Sequence, residues 1–167
     1  MTALRKASFP PVVDARTRLL VLGSLPGERS LAASRYYAHP QNQFWRLIGA
    51  VIDRDLVALP YEARLAALLA ASIGLWDVVA TATRTGSTDA AIRDVAANDL
   101  PALLTRLPAL QAIAFNGTAA AKIGKVALGD RHIPQVTLPS SSPLHTIGFE
   151  AKRPAWLALR CCLAAPD

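Results

Sequence analysis

The side chains best equipped for chemistry fall in three short stretches, each directly after an apolar run. The first stretch is residues 19–45, LLVLGSLPGERSLAASRYYAHPQNQFW. Its run Leu19-Leu20-Val21-Leu22 breaks at Gly23-Ser24-Leu25-Pro26-Gly27, and Tyr36, Tyr37, His39, Asn42, Phe44 and Trp45 follow. Gly23 and Gly27 carry no Cβ and Pro26 fixes the turn between them, so a ligand can come close to this backbone. Aromatic residues make up only 6% of the chain, so their crowding here needs a cause. The second stretch is Asn116-Gly117, and the third is Pro139-Ser140-Ser141-Ser142-Pro143-Leu144-His145. Together they offer ring faces, hydroxyls, imidazoles and amides that both donate and accept hydrogen bonds. Asp77 lies within a further apolar segment, Gly74-Leu75-Trp76-Asp77-Val78-Val79.

The elements that must position these groups are legible as an alternation. Residues 18–23 read as a buried parallel strand. Phe44, Leu47, Ile48 and Val51 recur at helical spacing, which predicts a helix over 42–53 with Asn42 as N-cap or first-turn residue. A second helix is expected over 61–72 after Pro60, and a strand over 73–79. Residues 81–89 read as a polar loop holding Arg84, and 90–95 as a helical turn. A short helix to about residue 107, a strand over 111–115, a helix over 118–127, a strand over 133–138 and a helix over 149–163 complete the order. Strands alternating with helices imply a three-layer α/β/α fold around a mostly parallel sheet of four to five strands. In such a sheet the strand ends gather on one edge, which would collect Tyr37, Asn42, Asn116 and His145 around a single cleft.

Composition sets the bounds. A chain of 167 residues can bury a full core, and one domain over 1–167 is expected, with 1–17 as an extended N-terminal arm. No apolar run is long enough for a membrane span, and no signal-peptide core opens the chain, so a cytoplasmic protein is expected. Cys161 and Cys162 are the only cysteines and are adjacent, which gives neither a disulfide framework nor a thiolate metal site. The formal charge of +6 suits a nucleic-acid partner and suits plain solubility equally well. The dinucleotide fingerprint, the P-loop and the nucleophile elbow are all missing, so nothing specific supports a small-molecule α/β enzyme.

Gly23-Ser-Leu-Pro-Gly27 followed by Tyr36-Tyr-Ala-His-Pro-Gln-Asn-Gln-Phe-Trp45 resembles the opening signature of the uracil-DNA glycosylase superfamily. It is most similar to the hypoxanthine-DNA glycosylase branch. Leu138-Pro-Ser-Ser-Ser-Pro-Leu-His145 resembles the second signature, and Gly74–Val79 and Phe115-Asn-Gly117 fit the same branch. The resemblance runs from about Phe9 to Leu163. It implies an enzyme that flips a deaminated base, hypoxanthine first, out of double-stranded DNA and hydrolyses its N-glycosidic bond without metal or cofactor. The implied protein is a monomer that associates with the nucleoid through DNA. Uracil or G·U/T mismatch specificity stays open, as does a non-catalytic module that binds damaged DNA.

The resemblance also implies roles. Mismatch-specific relatives carry a water-positioning Asn where this chain has Leu25, which cannot hydrogen-bond through its side chain. Asn42 is therefore expected to orient the water, with Asp77 as its rival, and His145 to donate to the departing base. Gly23, Ser24, Leu25, Tyr37 and Asn116 are expected around the base. Tyr37 would stack on it, and the Asn116 amide would read its edge. Ser140, Ser141, Ser142 and Pro143 are expected at phosphates, with Leu144 as an apolar wedge in the base stack. Each also has a purely structural reading: Asn42 as a cap, Tyr37 and Trp45 as packing, Asn116 as a turn former, Asp77 as an ion pair, and the Ser/Pro stretch as a surface turn. His39 fits packing or a phosphate contact as well as chemistry.

Overall fold

The computed structural model describes residues 5–163, so residues 1–4 of the expected arm lie outside the described residues. Its centre is a four-stranded parallel sheet in the order β3-β2-β6-β7, formed by β2 (Leu19–Gly23), β3 (Ile73–Asp77), β6 (Ala112–Asn116) and β7 (Gln135–Leu138). The two inner strands, LLVLG and AIAFN, are buried at every residue. That is why they are apolar runs rather than alternating ones: helices cover both faces of a parallel sheet.

The pleat sends alternate side chains into two cores. Leu19, Val21, Ile73, Leu75, Ala112, Ala114 and Leu138 pack with residues of α2 (Phe44–Ile52), α3 (Tyr61–Ala70) and α6 (Phe149–Leu157). Leu20, Leu22, Ile113 and Phe115 pack with residues of α4 (Leu100–Leu104) and α5 (Thr118–Leu128). Helix α5 lies so close to β6 that a Cβ on Gly124 would sit 2.3 Å from Phe115 Cε1. The expected three-layer architecture is therefore present.

Several boundaries differ from expectation. The strand expected over 73–79 is two strands, because the chain turns at Val78 and leaves as β4 (Val79–Thr83). Residues read as a polar loop and a helical turn instead form β4, a 3-10 turn at Asp89–Ala91 and β5 (Arg93–Ala97). With β1 (Arg5–Ala7) these make a second, antiparallel sheet in the order β1-β4-β5. Its short strands are polar and largely exposed on β5, so no hydrophobic period marks them. The N-terminal arm is correspondingly engaged: Val12 and Leu75 exchange backbone hydrogen bonds of 2.9 Å in both directions, which covers the open edge of β3. Asn98 secures the crossover, donating from Nδ2 to the Asp77 carbonyl at 2.7 Å.

Helix α2 begins at Phe44 rather than Asn42, with Gln43 in the N-cap position. The final helix ends at Leu157 and continues as a 3-10 turn, Ala158–Cys162. No helix among the described residues is long and apolar enough to cross a membrane.

Candidate active site

The carboxyl ends of the parallel strands lie side by side, with Gly23 opposite Asp77 and Asn116 opposite Leu138. Strand β2 connects onward to β3 on one flank, and the later β6 adds to the other, so the strand order reverses at β2. Open α/β sheets part their loops at such a point. Here a cleft of about 480 Å³ opens, lined by Gly23, Ser24, Leu25, Tyr37, Asn42, Asn116, residues 140–145 and Asp77. Every residue singled out in the three stretches as catalytic, base-contacting or phosphate-contacting thus lines one cavity. His39 lines it as well, although its Nδ1 accepts the Gln41 N–H at 3.0 Å and braces the local turn.

Asn42 is half-buried, and its Oδ1 accepts the Phe44 N–H at 2.9 Å. It therefore caps α2 from one residue outside the N-cap position while lining the cleft, so the structural and chemical readings coexist. The cap fixes the rotamer of the amide, and its Nδ2 is not needed for that bond.

Ser141 is the hinge of the site. It is 1% exposed. Its N–H donates to Asn116 Oδ1 at 2.8 Å, its Oγ accepts from Asn116 Nδ2 at 2.9 Å, and its carbonyl accepts the Gln43 N–H at 3.0 Å. Three distant segments, 42–44, 116 and 140–142, are thereby locked into one geometry. The lock occupies the Asn116 carbonyl and one of its amide hydrogens. It also turns the Ser141 amide and hydroxyl inward, whereas Ser140 and Ser142 accept only local N–H bonds at Oγ and keep their hydroxyl protons to donate. Helix α6 braces this loop from behind. Trp156 Nε1 donates to the Pro139 carbonyl at 3.0 Å, and the buried Lys152 donates from Nζ to the Ser142 carbonyl at 3.2 Å. Burial lowers the Lys152 ammonium below its ordinary value. Leu144 stands out from this braced loop, 63% exposed. His145 is exposed beside it and bonds the loop through its backbone N–H to the Ser142 carbonyl.

The loop after β2, which enters the short helix α1 (Glu28–Ala33), is held by Arg84 and Asp89, neither of which the sequence pattern marks as a site residue. Arg84 is 2% exposed and donates to the carbonyls of Leu25, Pro26 and Gly86. Ser24 Oγ donates to Asp89 Oδ1 at 2.7 Å. The Leu25 side chain belongs to the second core, which explains an apolar residue at that position. Arg84 reads from sequence as a solvated loop charge, because only the tertiary fold brings three carbonyls together around it.

Tyr37 adopts a left-handed backbone, φ 54°, which is uncommon for a bulky residue and marks a constrained site. Its ring stacks on Phe44 with centroids 3.9 Å apart, so one face is already covered. Its hydroxyl is buried without a hydrogen-bond partner, as is Asp77 Oδ2. The Asn116 amide lies near enough to ease ionisation of the phenol but makes no well-formed bond to it, and burial with the nearby Asp77 holds the phenol above its ordinary range. Burial, reinforced by Asp89 and opposed by Arg84, pushes the Asp77 carboxyl up to about 7.

Residues 10–160 match the sequence profile of the Uracil DNA glycosylase superfamily. The chain is similar to a protein named hypoxanthine DNA glycosylase from Methanosarcina barkeri, 37% identical over 153 residues that span 92% of this chain and 96% of that one. A protein of the same name from Methanosarcina acetivorans is 38% identical over 154 residues, spanning 92% and 97%. The fold superposes on the solution NMR structure of a candidate uracil DNA glycosylase from Methanosarcina acetivorans with a TM-score of 0.86 at 37% identity, covering 95% of this chain and 99% of that one.

Proposed function

Because the chain belongs to the uracil DNA glycosylase superfamily, and is a DNA glycosylase by its relatives, we propose that it releases hypoxanthine from double-stranded DNA as a monomer, leaving an abasic site. The observation that carries this reading is the single cleft in which Asn42, the Tyr37–Phe44 ring stack and the braced 140–145 loop converge. A base inside a duplex cannot be reached, so it must be extruded, and the cavity is of a size to receive it. Leu144, projecting from a loop fixed by Trp156 and Lys152, fills the gap left in the stack. The hydroxyl protons of Ser140 and Ser142 donate to phosphates beside the extruded nucleotide.

In the cleft, water adds through oxygen to the anomeric carbon while the bond from that carbon to the base nitrogen breaks. The pair of electrons leaves with the base, and the water gives up one proton, which the released base takes up. The sugar passes through an oxocarbenium-like state, so positioning and charge stabilisation supply most of the acceleration. Asn42, its rotamer set by the Phe44 cap, orients the water through its amide. His145 lies on the side of the Ser/Pro loop and donates a hydrogen bond toward the departing base.

The test uses duplex oligonucleotides carrying deoxyinosine, deoxyuridine, deoxyxanthosine or a G·T mismatch, with alkaline cleavage of any abasic site. Release at deoxyinosine, lost in Asn42→Ala while duplex binding persists, is the expected result. Release only at uracil or at the mismatch reassigns the substrate, and tight binding without any release replaces the enzyme by a damage-binding module.

A further inference from the structure

The edge of the extruded base needs a partner, and Asn116 is poorly placed to be the main one, because Ser141 occupies its carbonyl and one amide hydrogen. Two other polar groups sit at the strand ends with nothing to bind. Asp77, at the end of β3, is 3% exposed, lines the cleft and leaves Oδ2 without a partner. Tyr37 Oη, buried beside it, is equally unpartnered. A buried carboxylate is ordinarily neutralised by an ion pair. Here the nearby guanidinium of Arg84 donates instead to the carbonyls of Leu25, Pro26 and Gly86. Both groups crowd the end of β2: a Cβ on Gly23 would lie 2.6 Å from Asp77 Oδ1 and 3.1 Å from Tyr37 Oη, so only a glycine there lets the two come together. Leaving buried polar groups unsatisfied is costly, and their clustering in a cleft points to a ligand that satisfies them.

We propose that the Asp77 carboxyl, with the Tyr37 hydroxyl beside it, reads the edge of the extruded base and selects one that offers a ring N–H next to a carbonyl oxygen. This rests on the glycosylase reading and specifies the residue that recognises its substrate. A neutral carboxyl presents one O–H donor and one acceptor oxygen side by side. The donor meets the base carbonyl, and the acceptor takes the ring N–H. An ionised carboxylate keeps only the second bond and repels the carbonyl. Burial favours the neutral form, as does Asp89, while Arg84 opposes it. Tyr36 and Tyr37 are the other titratable groups that sense this carboxyl, and Glu28, Arg29, His39 and His145 line the same cleft. An apolar site that keeps a carboxylic acid neutral so that it can donate is a known device of enzyme chemistry.

The experiment compares pH profiles of kcat/KM for hypoxanthine release by the wild type, Asp77→Asn and Asp77→Leu, together with their affinities for duplexes with and without deoxyinosine. The wild-type profile is expected to fall about tenfold per pH step above roughly pH 7, as the donor is lost. Asp77→Asn, whose amide keeps a donor and an acceptor at every pH, is slower at about pH 6 but loses that fall. Asp77→Leu lowers kcat/KM by about a hundredfold or more while binding undamaged duplex as before. The same fall in the wild type and Asp77→Asn overturns the inference, as does wild-type release by Asp77→Leu. If the wild type releases no base at any pH, the glycosylase reading fails separately. The excess affinity for deoxyinosine duplex at about pH 6 then decides the role of Asp77: its loss in Asp77→Leu supports the inference, and its persistence refutes it.

Discussion

Replacing Asp77 by Asn should stabilise the protein, and should do so more at alkaline than at acidic pH. In an unfolded chain the carboxyl titrates at its ordinary 3.8, whereas in the folded protein burial and Asp89 raise it to about 7. Below about pH 4 both states hold the proton and the group makes no difference. As pH rises toward 7 the unfolded chain releases its proton and the folded one does not, so stability is progressively lost, and above about pH 8 the loss is complete. At about 1.4 kcal/mol for each tenfold change in proton affinity, the full penalty is roughly 4 kcal/mol, of which about 2–3 kcal/mol develops between pH 5 and pH 8. The amide of Asp77→Asn has the same shape and no proton to lose, so this part of the pH dependence vanishes. Urea unfolding of both proteins at pH 5 and pH 8 measures it, with the difference between them cancelling every other titrating group. The variant should gain over the wild type by roughly 2 kcal/mol more at pH 8 than at pH 5. Equal differences at the two pH values would refute the claim that the fold holds Asp77 neutral.

Other consequences follow from the same contacts. Asn116→Ala strips Ser141 of two buried hydrogen bonds and should lower unfolding free energy by about 2–4 kcal/mol, measured in urea, while also loosening the second and third stretches from one another. Leu144→Ala removes the apolar wedge without touching the core. It should reduce release from paired deoxyinosine by about tenfold or more and leave release from single-stranded DNA nearly unchanged, since there is no stack to open. Equal losses on both substrates would remove Leu144 from the extrusion step.

The positions of the chemistry are largely legible in the residue order. Leu19–Leu22 and Ala112–Phe115 announce strands because continuous apolar runs bounded by Gly or Asn-Gly are what a doubly covered strand requires. The parallel alternation then places their ends together, and the cleft is lined by Tyr37, Asn42, Asn116 and His145 as that topology requires. The antiparallel sheet is not legible in the same way, because β4 and β5 are short and rich in Thr, Ala, Arg and Asp, and pair through backbone bonds and the Thr83 hydroxyl while only Val79 and Ala82 bury apolar surface. The start of α2 differs from the expected one because Asn42 caps it through a side-chain bond to Phe44 from outside the helix.

Local residue order therefore determined which segments of the parallel sheet are strands, where its loops fall, and that the polar and aromatic side chains of residues 23–45, 116 and 140–145 share one edge of the sheet. It could not determine which of those polar groups are left to act. That depends on hydrogen-bond partners far away in sequence. Ser141 occupies much of Asn116 across 25 residues, and Arg84 turns to the carbonyls of Leu25 and Pro26 across 59 and 58 residues instead of pairing with Asp77. A buried polar group is functional or structural according to whether something already satisfies it, and that is decided only when the chain has folded and the bonds have been distributed.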